Sequence, residues 1–484
     1  MSKKIDEDRK HGKELRRRGL SIKNAASRAE LEQLKLKRKQ QEVELLASDE
    51  YRIMQIAKEQ RFEKEKWYKL DNAGLIYPAM YLKGFNPNFT ITVILNEKVD
   101  PIVLQKAVNL VVPRFAPITT ALKKGIFWYY LGVPKPLTIE NVSSSHTYTS
   151  VIDGKSSMTR VTYFGNELSV SVFHSASDAN GTLIMLNSIL AKYFEFLGHS
   201  DIDKTNRLDY RDIIQPYEVS DTYHKIATKE KLIKDDEKNT YQIKGTKLSD
   251  DTLLVVKGIM KASKVHSVAK SYGITVTQLF NACLLYAINI QRDSVMDKSL
   301  KPAAICSAVN LRKFFPTQSL RNFASYISTT DEGEKTLEGL FKVVKKQYEE
   351  KLKPEYFLAR VNFNVKSQKN FFVKVLPLPL KNFVLGLGYN IFGKRARTMT
   401  LSNLGTISAP EKFKGLINHY EFHLGDPSPA GVSVACATYN DILCISFSKC
   451  IEDSIIEREF FRIMSQLGLE VAIECNRGTK NEIL

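Results

Sequence analysis

The sequence predicts an α/β fold of two subdomains, each a mixed β-sheet with helices, behind an N-terminal helical extension. Three observations predict it. Strand-period and helix-period segments are interspersed in both halves of the chain, with hairpins among the strands, the pattern of sheets packed against helices. A polar stretch from His199 to about Asp250, carrying "KEKLIKDDEK", reads as a crossover between the halves. The 484 residues also exceed what one ordinary core accommodates, about 250–300 residues. The expected divisions are 1–66 for the extension, 67–225 for the N-terminal subdomain and 226–484 for the C-terminal one.

The extension is rich in Lys, Arg, Glu and Gln and has only a thin apolar stripe (Leu31, Leu34, Val43, Leu45), so it reads as a solvated or docked helical arm. The character changes at Trp67. "FTITVILNEKVD" alternates as a strand. Asp100 and Pro101 open a helix through "IVLQKAVNLVVPRF", aspartate as cap and proline in the first turn. "GIFWYYLG" is a second strand, and "MTRVTYFGNELSVSVFH" a hairpin turning at Gly165-Asn166. The helix "GTLIMLNSILAKYFEFL" follows. In the second half, "KASKVHSVAKSYGITVTQLFNACLLYAINI" holds two helices split at Gly273. "AAICSAVNLR" is a strand and "LEGLFKVVKKQYEEKL" an amphipathic helix. "RTMTLSNLGTI", "GVSVACATYN" and "DILCISFSK" are strands, the last two joined at Asn440-Asp441, and "EREFFRIMSQLGLEV" is a final helix.

Composition narrows the function. Hydrophobic residues make up 43 % and aromatics 10 %, enough for a large core and against wholesale disorder. No apolar run approaches the ~18 residues of a bilayer span, and the N-terminus lacks the apolar region of a secretory signal, so a cytoplasmic location is expected. The six cysteines show no C-x-x-C spacing, which disfavours structural zinc and fits buried thiols. The net charge of +18 raises nucleic acid as a partner, but there is no zinc finger, RNP-like motif or phosphate loop, and the densest basic clusters lie in the first 70 residues. Clusters such as "KELRRR" and "KLKRK" suit a membrane surface or an acidic partner instead, giving the arm a membrane-peripheral role.

The chemistry centres on "FHSASDANG". Leu168, Val170 and Val172 share one face of a strand, and His174 continues that row. At the end of an apolar face, desolvation favours the neutral imidazole that a general base requires. Asp178 precedes a helix, where a carboxylate accepts backbone N–H groups. A strand, a short loop and a helix opening at Gly181 hold the imidazole rigidly. H-x-x-x-D is nevertheless a short pattern that recurs by chance, and a satisfied core histidine is the competing reading.

Beyond this, the chain resembles the chloramphenicol acetyltransferase-like superfamily, which includes peptide-synthetase condensation domains, and bacterial alcohol acetyltransferase-like proteins most of all. "FHSASDANG" looks like its H-H-x-x-x-D-G motif. "WYKLDNAGLIYP", "GIFWYYL", "VNLRKFFPTQSLRNFASYI" and "TLSNLGTISAP" look like its other signatures, over most of residues 67–471. The resemblance implies an active-site tunnel at the subdomain interface. It implies an acyl-CoA or acyl-carrier-protein donor as co-substrate with no bound cofactor, and an alcohol or amine acceptor that His174 deprotonates for direct attack on the thioester. It gives Asp178 a structural role held by an arginine, for which Arg312 is the choice, and it makes Ser402 or Asn403 candidate oxyanion donors. Two departures stand out. Phe173 replaces the first histidine, and Ala179 replaces the glycine after the aspartate. If position 179 requires φ > 0, alanine is strained there. A catalytically inactive binding or docking protein is therefore the alternative.

Other patterns are weaker. There is no G-x-S-x-G, which disfavours an α/β-hydrolase. "GLGYNIFG" misses the dinucleotide spacing and reads as an amphipathic core or tunnel-lining segment. His419 and His423 lack a further ligand, so no metal site is expected.

Overall fold

The computed structural model describes residues 67–82, 85–142, 154–233, 239–248, 253–388, 395–425 and 431–476, together with Gln33. The expected arm 1–66, Gln33 apart, and most of "GLGYNIFG" lie outside the described residues. Fifteen described strands follow in chain order: β1 (Tyr68–Lys69), β2 (Asn88–Leu95), β3 (Thr120–Lys124), β4 (Tyr129–Pro134), β5 (Glu140–Asn141), β6 (Thr159–Phe164) and β7 (Glu167–Phe173), then β8 (Leu254–Lys261), β9 (Ala304–Asn310), β10 (Ala324–Thr330), β11 (Met399–Thr406), β12 (Ile417–Leu424), β13 (Val432–Tyr439), β14 (Ile442–Lys449) and β15 (Ala472–Cys475). They form sheets ordered β1-β4-β3, β12-β2-β7-β6-β5 and β10-β9-β11-β13-β14-β8-β15. The fold is the mixed α/β arrangement of two subdomains.

Local chemistry sets many boundaries. Asp100 caps helix Pro101–Val111 by accepting from the N–H groups of Ile102 and Val103. Gly165 turns the β6–β7 hairpin at φ +57°. Asn440 and Asp441, at φ +48° and +62°, give the β13–β14 hairpin a turn whose twist matches the strands. Thr275 and Gln278 form a reciprocal capping box on helix Val276–Ser294.

Two apolar cores result. One joins β2, β6 and β7 to helices Pro101–Val111 and Ala179–Phe196. The other joins the seven-stranded sheet to helices Val276–Ser294, Leu337–Lys351 and Ile455–Gln466. A smaller cluster around Tyr223, Leu311, Phe323 and Phe357 lies beside the crossover. The crossover itself is anchored: Arg114 grips Glu218 through two hydrogen bonds of 2.8 and 2.7 Å, and Leu320 N donates to the Glu218 carbonyl.

The structure revises three points. Strand β12, from the second half, pairs with β2 throughout its length, so the first sheet is not built from residues 67–225 alone. His419 and His423 therefore lie on a strand and share one face with Glu421. Strands β8, β10 and β15 and helix Pro354–Lys369 also join the second half, without having stood out as periodic segments.

Candidate active site

Strand β7 is buried along most of its length, with Leu168, Val170 and Val172 inaccessible. It delivers His174 to a corner where three distant segments meet. The His174 N–H donates to the Pro87 carbonyl. Its ring stacks on Tyr77, with centroids 4.5 Å apart and planes within 10°, and meets Phe89 edge-on at 4.9 Å. His174 is half-buried.

The tautomer follows from the hydrogen bonds. Asn322 Nδ2 donates to the His174 carbonyl at 2.9 Å and to Asp71 Oδ2 at 3.0 Å. That commits its amide nitrogen as donor and leaves Oδ1 as acceptor. Oδ1 lies 2.9 Å from His174 Nδ1, so Nδ1 carries the proton and Nε2 presents its lone pair. Asp71 is itself buried and held in place. It accepts from Gly74 N at 2.7 Å and pairs with Arg321 at 3.3 Å. The chain Asp71–Asn322–His174 thus orients the imidazole through a neutral amide. Burial holds the His174 pKa below its ordinary value, opposed by the negative charge of Asp178 and the Asn322 hydrogen bond. Nε2 is therefore an unprotonated acceptor at neutral pH.

Asp178 caps helix Ala179–Phe196 by accepting from Gly181 N. Its Oδ2 also takes a 2.6 Å bond from Arg312 Nη1 and a 2.9 Å bond from Phe323 N. Arg312 spends its other amino group on the carbonyls of Ser319 and Arg321. The structure thus brings His174, Asp178 and Arg312 together, with Asp178 bonded into the backbone of 319–323 and not to the imidazole. Ser177 Oγ donates to the Leu320 carbonyl at 2.6 Å, so residues 319–323 lie directly across the H-x-x-x-D loop.

The glycine question resolves by position. Ala179 is the first residue of the helix and is not among the residues with positive φ, so the condition under which an alanine is strained there is not met. Glycine is needed at 181, where a Cβ would sit 2.3 Å from the Leu320 carbonyl and 2.4 Å from Ser177 Oγ.

Ser402 and Asn403 lie within β11, not in a turn after it. Asn403 Nδ2 donates to Thr277 Oγ1 and its Oδ1 accepts from Gly405 N; neither residue shares a hydrogen bond with His174. Phe173, buried, meets Tyr81 edge-on. On β12, His419, Glu421 and Cys444 of the adjacent sheet bring ligand atoms within 4.8 Å of one another. The Lys257 ammonium already occupies Glu421 Oε1 at 2.7 Å, and burial pushes the Cys444 thiol well up, a donor set poorly suited to a cation.

Asp71 and Asn322 escaped the sequence reading. Both stand inside the quoted signatures "WYKLDNAGLIYP" and "VNLRKFFPTQSLRNFASYI", but nothing local marks an aspartate and an asparagine 251 positions apart as partners.

No protein-family model matches the chain, and no curated protein matches its sequence. Solved structures do match. Polyketide synthase associated protein 5 from Mycobacterium tuberculosis aligns with TM-score 0.53 and 12 % identity over 83 % of this chain and 97 % of that one. The first condensation domain of the calcium-dependent antibiotic synthetase, bound to a substrate analogue, aligns with TM-score 0.55 and 10 % identity over 84 % and 99 %. The epimerization domain from the third module of tyrocidine synthetase B gives 0.51 and 12 % over 84 % and 97 %. At such identities the likeness is one of fold: the chain has the two-subdomain condensation-domain-like architecture.

Proposed function

We propose that the protein is an acyltransferase that moves an acyl group, acetyl in the simplest case, from an acyl-CoA thioester to an alcohol. The observation that carries this reading is the fixed tautomer of His174: a lone pair on Nε2, held by Asn322 on a desolvated imidazole, in a fold shared with acyl-handling domains. A starter condensation domain of rhizomide synthetase with this fold has C8-CoA bound, which supports a CoA thioester as donor.

In this reading Nε2 takes the hydroxyl proton as the acceptor oxygen attacks the thioester carbonyl. The tetrahedral intermediate collapses, the C–S bond breaks, and the imidazolium returns its proton to the leaving thiolate. No acyl-enzyme forms. Asp178 lies close enough for its charge to favour the transient imidazolium. Asp178 and Arg312 position the loop, and Ser402 or Asn403 is the proposed donor to the oxyanion, a contribution of about 3–4 kcal/mol for such a group. The inactive-protein alternative loses its main support, because Ala179 is unstrained.

The test is thiol release from acetyl-CoA and longer acyl-CoAs on mixing with a panel of alcohols and amines. Release that depends on the acceptor and falls by about 10²–10⁴-fold in His174→Ala supports the reading. No acceptor-dependent release with any pair overturns it.

A further inference from the structure

Helix Leu378–Gly388 is turned inside out. It buries Lys381, 2 % exposed, and Leu378, while Leu380, Phe383 and Val384 face outward, Phe383 at 60 %. A helix on a water-facing surface ordinarily does the reverse. The lysine is well placed inside. Its Nζ donates to the Phe127 carbonyl at 2.7 Å and lies over the Trp128 ring, 3.2 Å from the centroid. Burial lowers its pKa to about 8.

Further bonds lock this orientation to the tip of the β3–β4 hairpin. Leu378 N donates to the Ile126 carbonyl, and Asn382 Nδ2 donates to the Tyr129 hydroxyl. The tip exposes its own Ile126, at 77 %, and Phe127. The preceding short helix, Phe371–Val375, exposes Phe371, Phe372 and Val375. These large apolar side chains form a set joined by hydrogen bonds or by two residues of chain, and a set of that size calls for a cover.

Charge identifies the cover. From Tyr356 to Pro410 there is no acidic residue and there are eight basic ones. Lys366, Lys369 and Lys374 are exposed and stand within five residues of Phe371 in the chain. Aromatic and aliphatic groups on a stretch of chain that carries lysines and no carboxylate match an anionic bilayer, whose acyl boundary takes the rings and whose phosphates take the ammonium groups. Two other covers carry the wrong charge. Residues 1–66 have 19 basic and 13 acidic side chains, and a second copy in a symmetric contact would set these lysines against themselves.

We infer that helices Phe371–Val375 and Leu378–Gly388, with the Ile126–Phe127 tip, form one docking surface for an anionic lipid bilayer. The surface lies in the interface and does not cross it, since no single described helix is long and apolar enough to span. Helix Leu378–Gly388 packs on helix Tyr77–Tyr81, whose Tyr77 stacks on His174, so docking brings the candidate site to the membrane. The inference is independent of the chemistry proposed for His174.

The test is co-sedimentation of the full chain with phosphatidylcholine vesicles, with and without phosphatidylserine, at low and high salt. The full chain is expected to bind only the phosphatidylserine vesicles and to release in high salt. Phe372→Ser combined with Leu380→Ser, both exposed, is expected to weaken partitioning by about tenfold or more. Lys374→Glu is expected to weaken binding to anionic vesicles alone. Unchanged binding by the folded double variant overturns the inference. If the double variant fails to fold, unchanged binding by Lys374→Glu overturns it. Absence of vesicle binding, with a dimer in sedimentation velocity that the double variant dissociates, assigns the face to a second copy and also overturns it.

Discussion

Asp178→Asn tests the brace of the H-x-x-x-D loop. The native carboxylate accepts three bonds, from Gly181 N, Arg312 Nη1 and Phe323 N, and the side chains of the Arg312 pair are 11 % and 8 % exposed. An asparagine has one acceptor oxygen. If that oxygen keeps the helix cap, where Asn and Asp serve almost equally, its NH2 group faces two donors. The Phe323 N–H is then orphaned at about 1–3 kcal/mol. The Arg312 guanidinium keeps the carbonyls of Ser319 and Arg321 but loses its only counter-charge in this cluster. Breaking a buried ion pair by removing one partner costs about 3–5 kcal/mol, and the orphaned amide is part of that sum. The expected loss is therefore roughly 3–5 kcal/mol, a large share of the 5–15 kcal/mol that holds a typical domain. Urea unfolding of the wild type, Asp178→Asn, Arg312→Leu and the double variant measures it. The double variant should be less destabilised than the sum of the singles by about 2 kcal/mol or more. A loss below about 1 kcal/mol for Asp178→Asn, or additive singles, would refute the brace.

His174→Ala should keep its melting temperature within a few degrees and lower thiol release by about 10²–10⁴-fold, the range for a lost general base. Because burial lowers the His174 pKa, the acid limb of kcat/KM should fall below the ordinary imidazole value of about 6.5. By linkage the native state binds this proton less readily than the unfolded chain, so His174 adds nothing to stability above pH ~6.5 and progressively destabilises the fold as pH drops below it. His174→Gln should flatten that part of the stability profile, and an unchanged profile would count against the desolvated imidazole. Asn322→Leu removes the acceptor at Nδ1 and should lower turnover about tenfold, the kinetic equivalent of a hydrogen bond worth ~1–1.5 kcal/mol, with a shift of the acid limb that a purely structural defect would not produce. Gly181→Ala should cost about 1–3 kcal/mol through its clash with the Leu320 carbonyl, whereas Ala179→Gly should cost under about 1 kcal/mol and leave turnover unaltered; equal effects in thermal unfolding would show that the close approach at 181 is not what selects glycine.

Caps, hairpins and the end of an apolar row are set by neighbours in the chain. Asp100 before Pro101, Gly165 between two alternating runs, and Thr275 three residues before Gln278 each act within one turn, so caps and hairpins were legible. The same holds for His174 at the end of an apolar row and Asp178 ahead of a helix. The φ at position 179 is not readable from the sequence, because a motif gives an order of residues and not their φ; the structure makes Ala179 the first helical residue, without positive φ. The remaining features depend on long-range contacts. Strand β12 crosses to the first sheet because its pairing edge is β2, more than 300 residues earlier. Asp71 and Asn322 meet because β10 and the first residues of the N-terminal subdomain close on the same corner. Lys381 points inward because the Phe127 carbonyl and the Trp128 ring receive it, against the preference of an isolated helix. In each case the partner that sets the side chain's role is a long-range one, and hydrophobic period and local capping carry no information about which distant segment will supply it.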